Sequence, residues 1–234
     1  MIALAEKIWD HYGSQFWSGD ARDVVTEMLE KAQLALFDPP YGIDWHAAGH
    51  DGIAFDKNPW LAARTFVPLA VSTLADDAVF AAFSSQRVES VWFRQMERCG
   101  LIVRPSIPWD KDSAWHRQRG STPEVLLIGF KGKPQIDLDD LVLKFAVPRD
   151  KETKENSPTP KPDPLCDYLV QRLSKPGDLI VDLCAGAGPI GRAAISRHRR
   201  YMGVEYVDER AQYAAQRLRQ LVVRRDAYEK RRND

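Results

Sequence analysis

Leu179-Ile180-Val181-Asp182-Leu183-Cys184-Ala185-Gly186-Ala187-Gly188 is an apolar run that ends in a carboxylate and then in small residues and glycines. Its first four residues read as a strand buried on both faces, the kind found in parallel sheets. Small residues directly after such a strand let the backbone approach a ligand closely, and the next helix begins there. Tyr201-Met202-Gly203-Val204-Glu205 reads as the following strand. A carboxylate at its end, about twenty residues on, can accept hydrogen bonds from both hydroxyls of a ribose. The third glycine of the dinucleotide fingerprint is not at its position, which disfavours a nicotinamide site. The plain alternative is a tight strand–helix turn beside a surface glutamate.

Outward from this stretch, helices and strands alternate. Leu165, Leu169 and Leu173 mark a helix that opens near Pro164, with Asp163 before it. Another helix is expected from about Asp208 to Arg224. Upstream, Phe16 to Ala21 reads as a strand ending in a turn. Asp20 is placed to cap a helix over 21–31 whose Val24, Val25, Met28 and Leu29 share a face. Gln33 to Phe37 is the next strand, followed by a long loop over 42–60. Helices are expected over 60–75 and from Val88 to Cys99, where Gly100 ends the second. Ala78 to Phe83 reads as a strand, and Leu101–Trp109 and Glu124–Lys131 as an antiparallel pair. Alternating strands and helices indicate a doubly wound α/β sheet. Pro148 to Pro162 is polar, charged and proline-bearing, and is the best linker candidate.

A second motif, Asp38-Pro39-Pro40-Tyr41, follows the apolar strand Leu34-Ala35-Leu36-Phe37. Open α/β sheets place ligands at the carboxyl ends of strands. The amino group of adenine or cytosine is a poor nucleophile because its lone pair is delocalised into the ring. Two acceptors aimed at its two N–H groups favour a pyramidal nitrogen and free the lone pair. Asp38 offers one acceptor and the carbonyl of Pro39 the other. Consecutive prolines fix φ and preorganise the loop, and Tyr41 can stack on a base. The two motifs together point to methyl transfer onto an amino group of a nucleic acid.

The 234 residues carry 33 basic and 33 acidic side chains, so net charge does not advertise a nucleic-acid partner. Arginines crowd the chain from Arg192 to Arg232, including Arg197, Arg199, Arg200, Arg217, Arg219, Arg224, Arg225, Arg231 and Arg232. They read as a phosphate-facing patch or as a solvated helix face. Three cysteines lack metal-ligand spacing. No apolar run reaches ~18 residues, so no membrane span is expected, and the N-terminus has no signal-peptide pattern. His46 and His50 read as loop histidines rather than a zinc site. Trp115, His116, Arg117 and Arg119 read as a hairpin tip or as contacts to a splayed strand.

The chain resembles the amino-methyltransferases that modify adenine N6 or cytosine N4 in DNA, in the permuted group whose tetrad precedes the cofactor glycines. Besides the two motifs, Ser18-Gly19-Asp20-Ala21 resembles that family's acidic turn. Ile107-Pro108-Trp109-Asp110-Lys111, with Thr122-Pro123-Glu124 and Gly129 to Gly132, resembles its hairpin beside the target base. Thr159-Pro160-Lys161-Pro162 resembles its Lys-Pro element. The resemblance implies S-adenosylmethionine as cofactor and DNA as partner; no metal is expected from the spacing of histidines and cysteines, and the cysteines read as reduced thiols of a cytoplasmic protein. It implies a Rossmann-like fold, mostly parallel with an antiparallel edge hairpin and a circularly permuted motif order. It assigns Asp38, Pro39, Pro40 and Tyr41 to catalysis on a flipped base, and Trp109 and Lys111 to the substrate. Asp182, Cys184, Ala185, Gly186 and Gly188 would line the methionine side of the cofactor, Glu205 would take the ribose, Asp20 the adenine end, and Lys161, with Asp38, the methionine end. The Asp form of the tetrad is similar to adenine enzymes, so N6 of adenine in DNA is the expected target. Cytosine N4, RNA adenine, a protein glutamine and a non-catalytic subunit are the rivals. A single domain over 1–234 is expected, with a linker at about 148–160. The family's target-recognition region normally lies between hairpin and Lys-Pro element, where this chain is short. Readout is then minimal, or falls to the 42–60 loop, a homodimer or a partner subunit.

Overall fold

The structure, a computed structural model, describes residues 5–44, 55–111, 123–147 and 159–233. Their strands are β1 (Glu6–His11), β2 (Ser14–Ser18), β3 (Ala32–Phe37), β4 (Leu74–Ser85), β5 (Ile102–Asp110), β6 (Glu124–Lys131), β7 (Leu143–Lys144), β8 (Leu179–Asp182) and β9 (Arg200–Glu205). The helices are α1 (Ala21–Thr26), α2 (Pro59–Thr73), α3 (Glu89–Arg98), α4 (Asp163–Leu173), α5 (Pro189–Ser196) and α6 (Asp208–Asn233). One sheet runs in the order β1-β2-β9-β8-β3-β4-β6-β5-β7. From β2 to β4 every pairing is parallel. The pairs β4–β6 and β5–β6 are antiparallel.

One pairing positions the site. β3 and β8 are far apart in the chain but adjacent in the sheet, with Leu34 opposite Ile180 and Ala35 opposite Val181. Both strands are apolar without a break because both faces are covered. On one face Leu34, Leu36 and Ile180 meet Leu165 and Leu169 of α4, Ile190 of α5 and Leu218 of α6. On the other, Ala35, Phe37 and Val181 meet Val24 of α1, Phe66 of α2 and Trp92 of α3. The tetrad and the glycine turn therefore leave the same sheet edge side by side.

The expected elements form, with four corrections. The antiparallel hairpin is not the outermost layer, because the two-residue β7 pairs in parallel with Trp109 and Asp110 of β5. The other edge is β1, antiparallel to β2, which the N-terminal sequence does not announce. Helix α1 stops at Thr26, and Leu29, expected on its buried face, is fully exposed. Helix α6 continues past Arg224 to Asn233. The expected linker falls almost wholly in 148–158, outside the described residues. The same holds for Trp45, His46, His50, Trp115, His116, Arg117, Arg119 and Thr122.

The arginine-rich segment is largely engaged within the molecule. Arg192 and Arg217 converge on Asp163, Arg197 grips Asp167 and Arg200 grips Glu30. Arg199 donates to the carbonyls of Ser174 and Arg197, and Arg219 to that of Ile8. These side chains tie helices and strands together, and the side chains of Arg231 and Arg232 lie outside the described residues.

Candidate active site

The tetrad begins one residue after β3. Pro39 is buried, while the Asp38 side chain keeps 21% of its surface open. The loop is held from below. Gly42 has φ +83° and packs so tightly that an added Cβ would lie 2.2 Å from Pro59. Its N–H donates to buried Asp56 Oδ1 at 2.7 Å. Asn58 Oδ1 accepts from the Trp60 and Leu61 N–H groups and caps α2 beside this loop.

Asp38 and Tyr41 of the same loop meet side chains from three other segments, Lys111, Glu124 and Lys161. The Tyr41 hydroxyl lies 2.7 Å from Asp38 Oδ1 and 2.8 Å from Glu124 Oε2. Lys161 Nζ, almost fully buried, is 2.5 Å from Asp38 Oδ2 and 3.3 Å from Glu124 Oε2. Lys111 Nζ donates to Glu124 Oε1. Burial raises the Asp38 carboxyl above the usual carboxylate range; Lys161 opposes this and Glu124 adds to it. Burial also works against ionised Glu124, but Lys161 and Lys111 outweigh it and hold Glu124 down at about 2. Burial works against the Lys161 ammonium as well, and Asp38 and Glu124 more than compensate, raising it. Burial, followed by the two carboxylates, pushes the Tyr41 phenol well up.

The second half of the site is the turn after β8. Gly186 and Gly188 both have left-handed φ, +54° and +73°, a conformation that favours glycine. Glu205 Oε2 accepts from the Gly186 N–H at 2.8 Å, and Oε1 from the Val207 N–H at 2.9 Å. Burial raises Glu205, and these N–H donors hold it back. Asp182 lies under the turn with no exposed surface; it accepts from the Cys184 N–H at 3.2 Å and the Tyr201 hydroxyl at 3.0 Å. Burial pushes it up to about 8. Cys184 is half-buried and Ala185 buried. At the end of β2, the Gly19 N–H donates to the Glu205 carbonyl at 2.9 Å, which brings the acidic turn to this pocket.

The structure thus gathers the tetrad, Glu124, Lys111 and Lys161 on one side, and the glycine turn, Glu205 and Asp20 on the other. For three of the expected residues the structure adds a contact. Asp20 caps α1 through the Arg22 N–H and is gripped by the Arg22 guanidinium, so its carboxylate is already engaged. Trp109 is buried, donates from Nε1 to the Phe145 carbonyl at 2.7 Å, and faces Phe83 edge-on, so it is a wall behind the site. Lys161, expected with Asp38 at the methionine end, pairs with Asp38. Sequence reasoning quoted Glu124 only within a motif and missed it as a site residue; its one signal is a lone carboxylate opening an apolar strand. Tyr206 and Val207, directly after Glu205, are exposed.

A model of the DNA methylase family, built on N6 and N4 enzymes, matches residues 32–216. The chain belongs to this family. It is a DNA methyltransferase, and S-adenosylmethionine is its methyl donor. YubD of Escherichia coli K12, a methylase by assignment, is 26% identical over 212 residues, covering 88% of this chain and 90% of YubD. The crystal structure of an M1.HpyAVI–SAM complex superposes with a TM-score of 0.68 at 22% identity, covering 86% of this chain and 97% of that one. The cytosine-N4-specific PvuII DNA methyltransferase does so with a TM-score of 0.71 at 14% identity, covering 94% of each. No helix among the described residues is long and apolar enough to cross a membrane.

The residues of this methyltransferase fit that donor. Each Glu205 oxygen accepts one backbone N–H and keeps a lone pair for a ribose hydroxyl. The left-handed φ of Gly186 and Gly188 shapes the turn whose Gly186 N–H meets that carboxylate.

Proposed function

We propose that this enzyme methylates the exocyclic N6 amine of adenine in DNA, with the target base turned out of the duplex. S-adenosylmethionine supplies an electrophilic methyl group when bound. The chain's own part is to present the amine. Asp38 and the carbonyl of Pro39 accept its two N–H groups, the prolines hold both acceptors still, and the Tyr41 ring stacks on the base. The observation that carries this reading is the tetrad's position. The open part of the Asp38 carboxyl lies at the same sheet edge as the glycine turn and Glu205. A paired amine inside a helix is out of reach, so the base must be extruded. Glu205 and the glycine turn would hold the donor, and Lys111 would sit beside the base. The Asp form of the tetrad supports adenine over cytosine.

We further read the whole chain as one catalytic domain without a sizeable recognition domain. Sequence readout then falls to the 42–60 loop or to a second subunit.

The test is mass-spectrometric analysis of nucleosides from DNA methylated by the purified protein. N6-methyladenine is expected; N4-methylcytosine would overturn the assignment of the base. Asp38→Ala should lower kcat by about 10²–10³-fold, the scale for losing one preorganised polar contact to a transition state. A near-normal rate would remove Asp38 from catalysis.

A further inference from the structure

The Tyr41 oxygen sits 2.7 Å from one carboxyl oxygen and 2.8 Å from another, those of Asp38 and Glu124. A phenol carries one hydrogen, and an ionised carboxylate has none to give. One hydrogen serves one linear bond, so two contacts this short are both made in full only when one of the carboxyls brings its own. The surrounding cations decide which one. Glu124 is flanked by two ammonium groups, Lys111 and Lys161, and Asp38 by Lys161 alone. Two cations keep Glu124 ionised, and the proton falls to Asp38.

We propose that Glu124, acting through the hydroxyl of Tyr41, keeps Asp38 in its neutral acid form. Asp38 Oδ1 then donates to Tyr41, and Tyr41 donates to Glu124 Oε2. Asp38 Oδ2 is left as a carbonyl-type acceptor, held by Lys161 until an amine N–H takes its place. A neutral Asp38 cannot take up the proton that the amine gives up on methylation. That proton leaves to water, while Oδ2 remains a lone-pair acceptor throughout. Glu124 is therefore a positioning residue: it reaches the amine only through Tyr41 and Asp38.

The other titratable groups around Asp38 agree. Besides Tyr41 on its own loop, it is faced by Lys161 before α4, Cys166 on α4, Glu124 on β6, Lys111 after β5, Asp182 on β8 and Cys184 in the glycine turn. Lys161, and a hydrogen bond from Tyr41 when Tyr41 donates to it, favour an ionised Asp38. Burial and Glu124 favour the acid, and the net direction is upward.

This inference rests on the proposed function only in naming the amine, and its test needs neither DNA nor cofactor. Carboxyl-carbon NMR titration of the full chain would read Asp38 directly, the signal being assigned by its absence in Asp38→Asn. In the wild type the signal should titrate above the ordinary carboxylate range. In Glu124→Gln the midpoint should move down, because the anion that orients Tyr41 is gone, and Glu124→Asp should restore it in part. A wild-type Asp38 ionised throughout the range above its ordinary value would overturn the proposal, even if the variants failed to fold. So would a midpoint unmoved in a folded Glu124→Gln. Finding methylcytosine as product would change the substrate and leave this titration untouched.

Discussion

Asp182 is a carboxyl with no exposed surface, and burial moves it from 3.8 to about 8. An acid whose folded pKa is raised makes the folded state bind the extra proton, so stability falls as pH rises. The penalty starts near the unfolded value, grows through the interval and levels off near pH 8. Each unit is 1.36 kcal/mol, so the penalty is about 4 kcal/mol at pH 7, a large part of a typical domain's 5–15 kcal/mol. Asp182→Asn keeps an oxygen for the Cys184 N–H and places an NH₂ where it can donate to the Tyr201 oxygen, with no charge to bury. The variant should gain on the wild type as pH rises. Between pH 5 and pH 7.5 the gain should increase by about 3 kcal/mol, and any pH-independent effect of the swap cancels from that difference. Urea unfolding of both proteins at the two pH values measures it, and equal differences at both would show that Asp182 does not change ionisation in the folded state.

Glu205→Ala removes the acceptor of the Gly186 and Val207 N–H groups. It should weaken S-adenosylmethionine binding by about 100-fold or more, on the scale of lost charge-assisted hydrogen bonds; unchanged calorimetric affinity would remove Glu205 from the site. Gly42→Ala drives a Cβ to 2.2 Å from Pro59 at a φ of +83°. Thermal unfolding should show a loss of more than about 2 kcal/mol along with slower methyl transfer, and wild-type behaviour in both would mean that the tetrad loop is not held there. Arg197→Gln breaks a half-exposed pair with Asp167 and should cost under about 1 kcal/mol. It should leave the salt dependence of DNA binding as it was; a slope reduced by about one would make Arg197 a phosphate contact.

The parts legible in the sequence are those that backbone chemistry writes locally. An apolar run of four with glycines behind it is a buried strand and a close-approach turn wherever it occurs, and β8 and Gly186–Gly188 are where that reading puts them. Helix α1 was misjudged because periodicity cannot see what lies above a face: Leu29 has the spacing of a core residue and nothing to pack against. β1 and β7 are fixed by their neighbours Phe16 and Trp109, not by patterns of their own. The electrostatics of the tetrad could not be read at all, because Asp38, Lys111, Glu124 and Lys161 come from four segments. The sign of each charge's effect depends on distances that only the fold sets. Asp182 makes the same point in reverse. A buried acid under a ligand turn weakens the fold at neutral pH, and an asparagine would serve the two hydrogen bonds at less cost. At neutral pH a carboxyl raised to about 8 is itself a neutral acid, with one acceptor oxygen and one O–H, so the two side chains differ in the pH-dependent cost of the acid and not in the hydrogen bonds they can make.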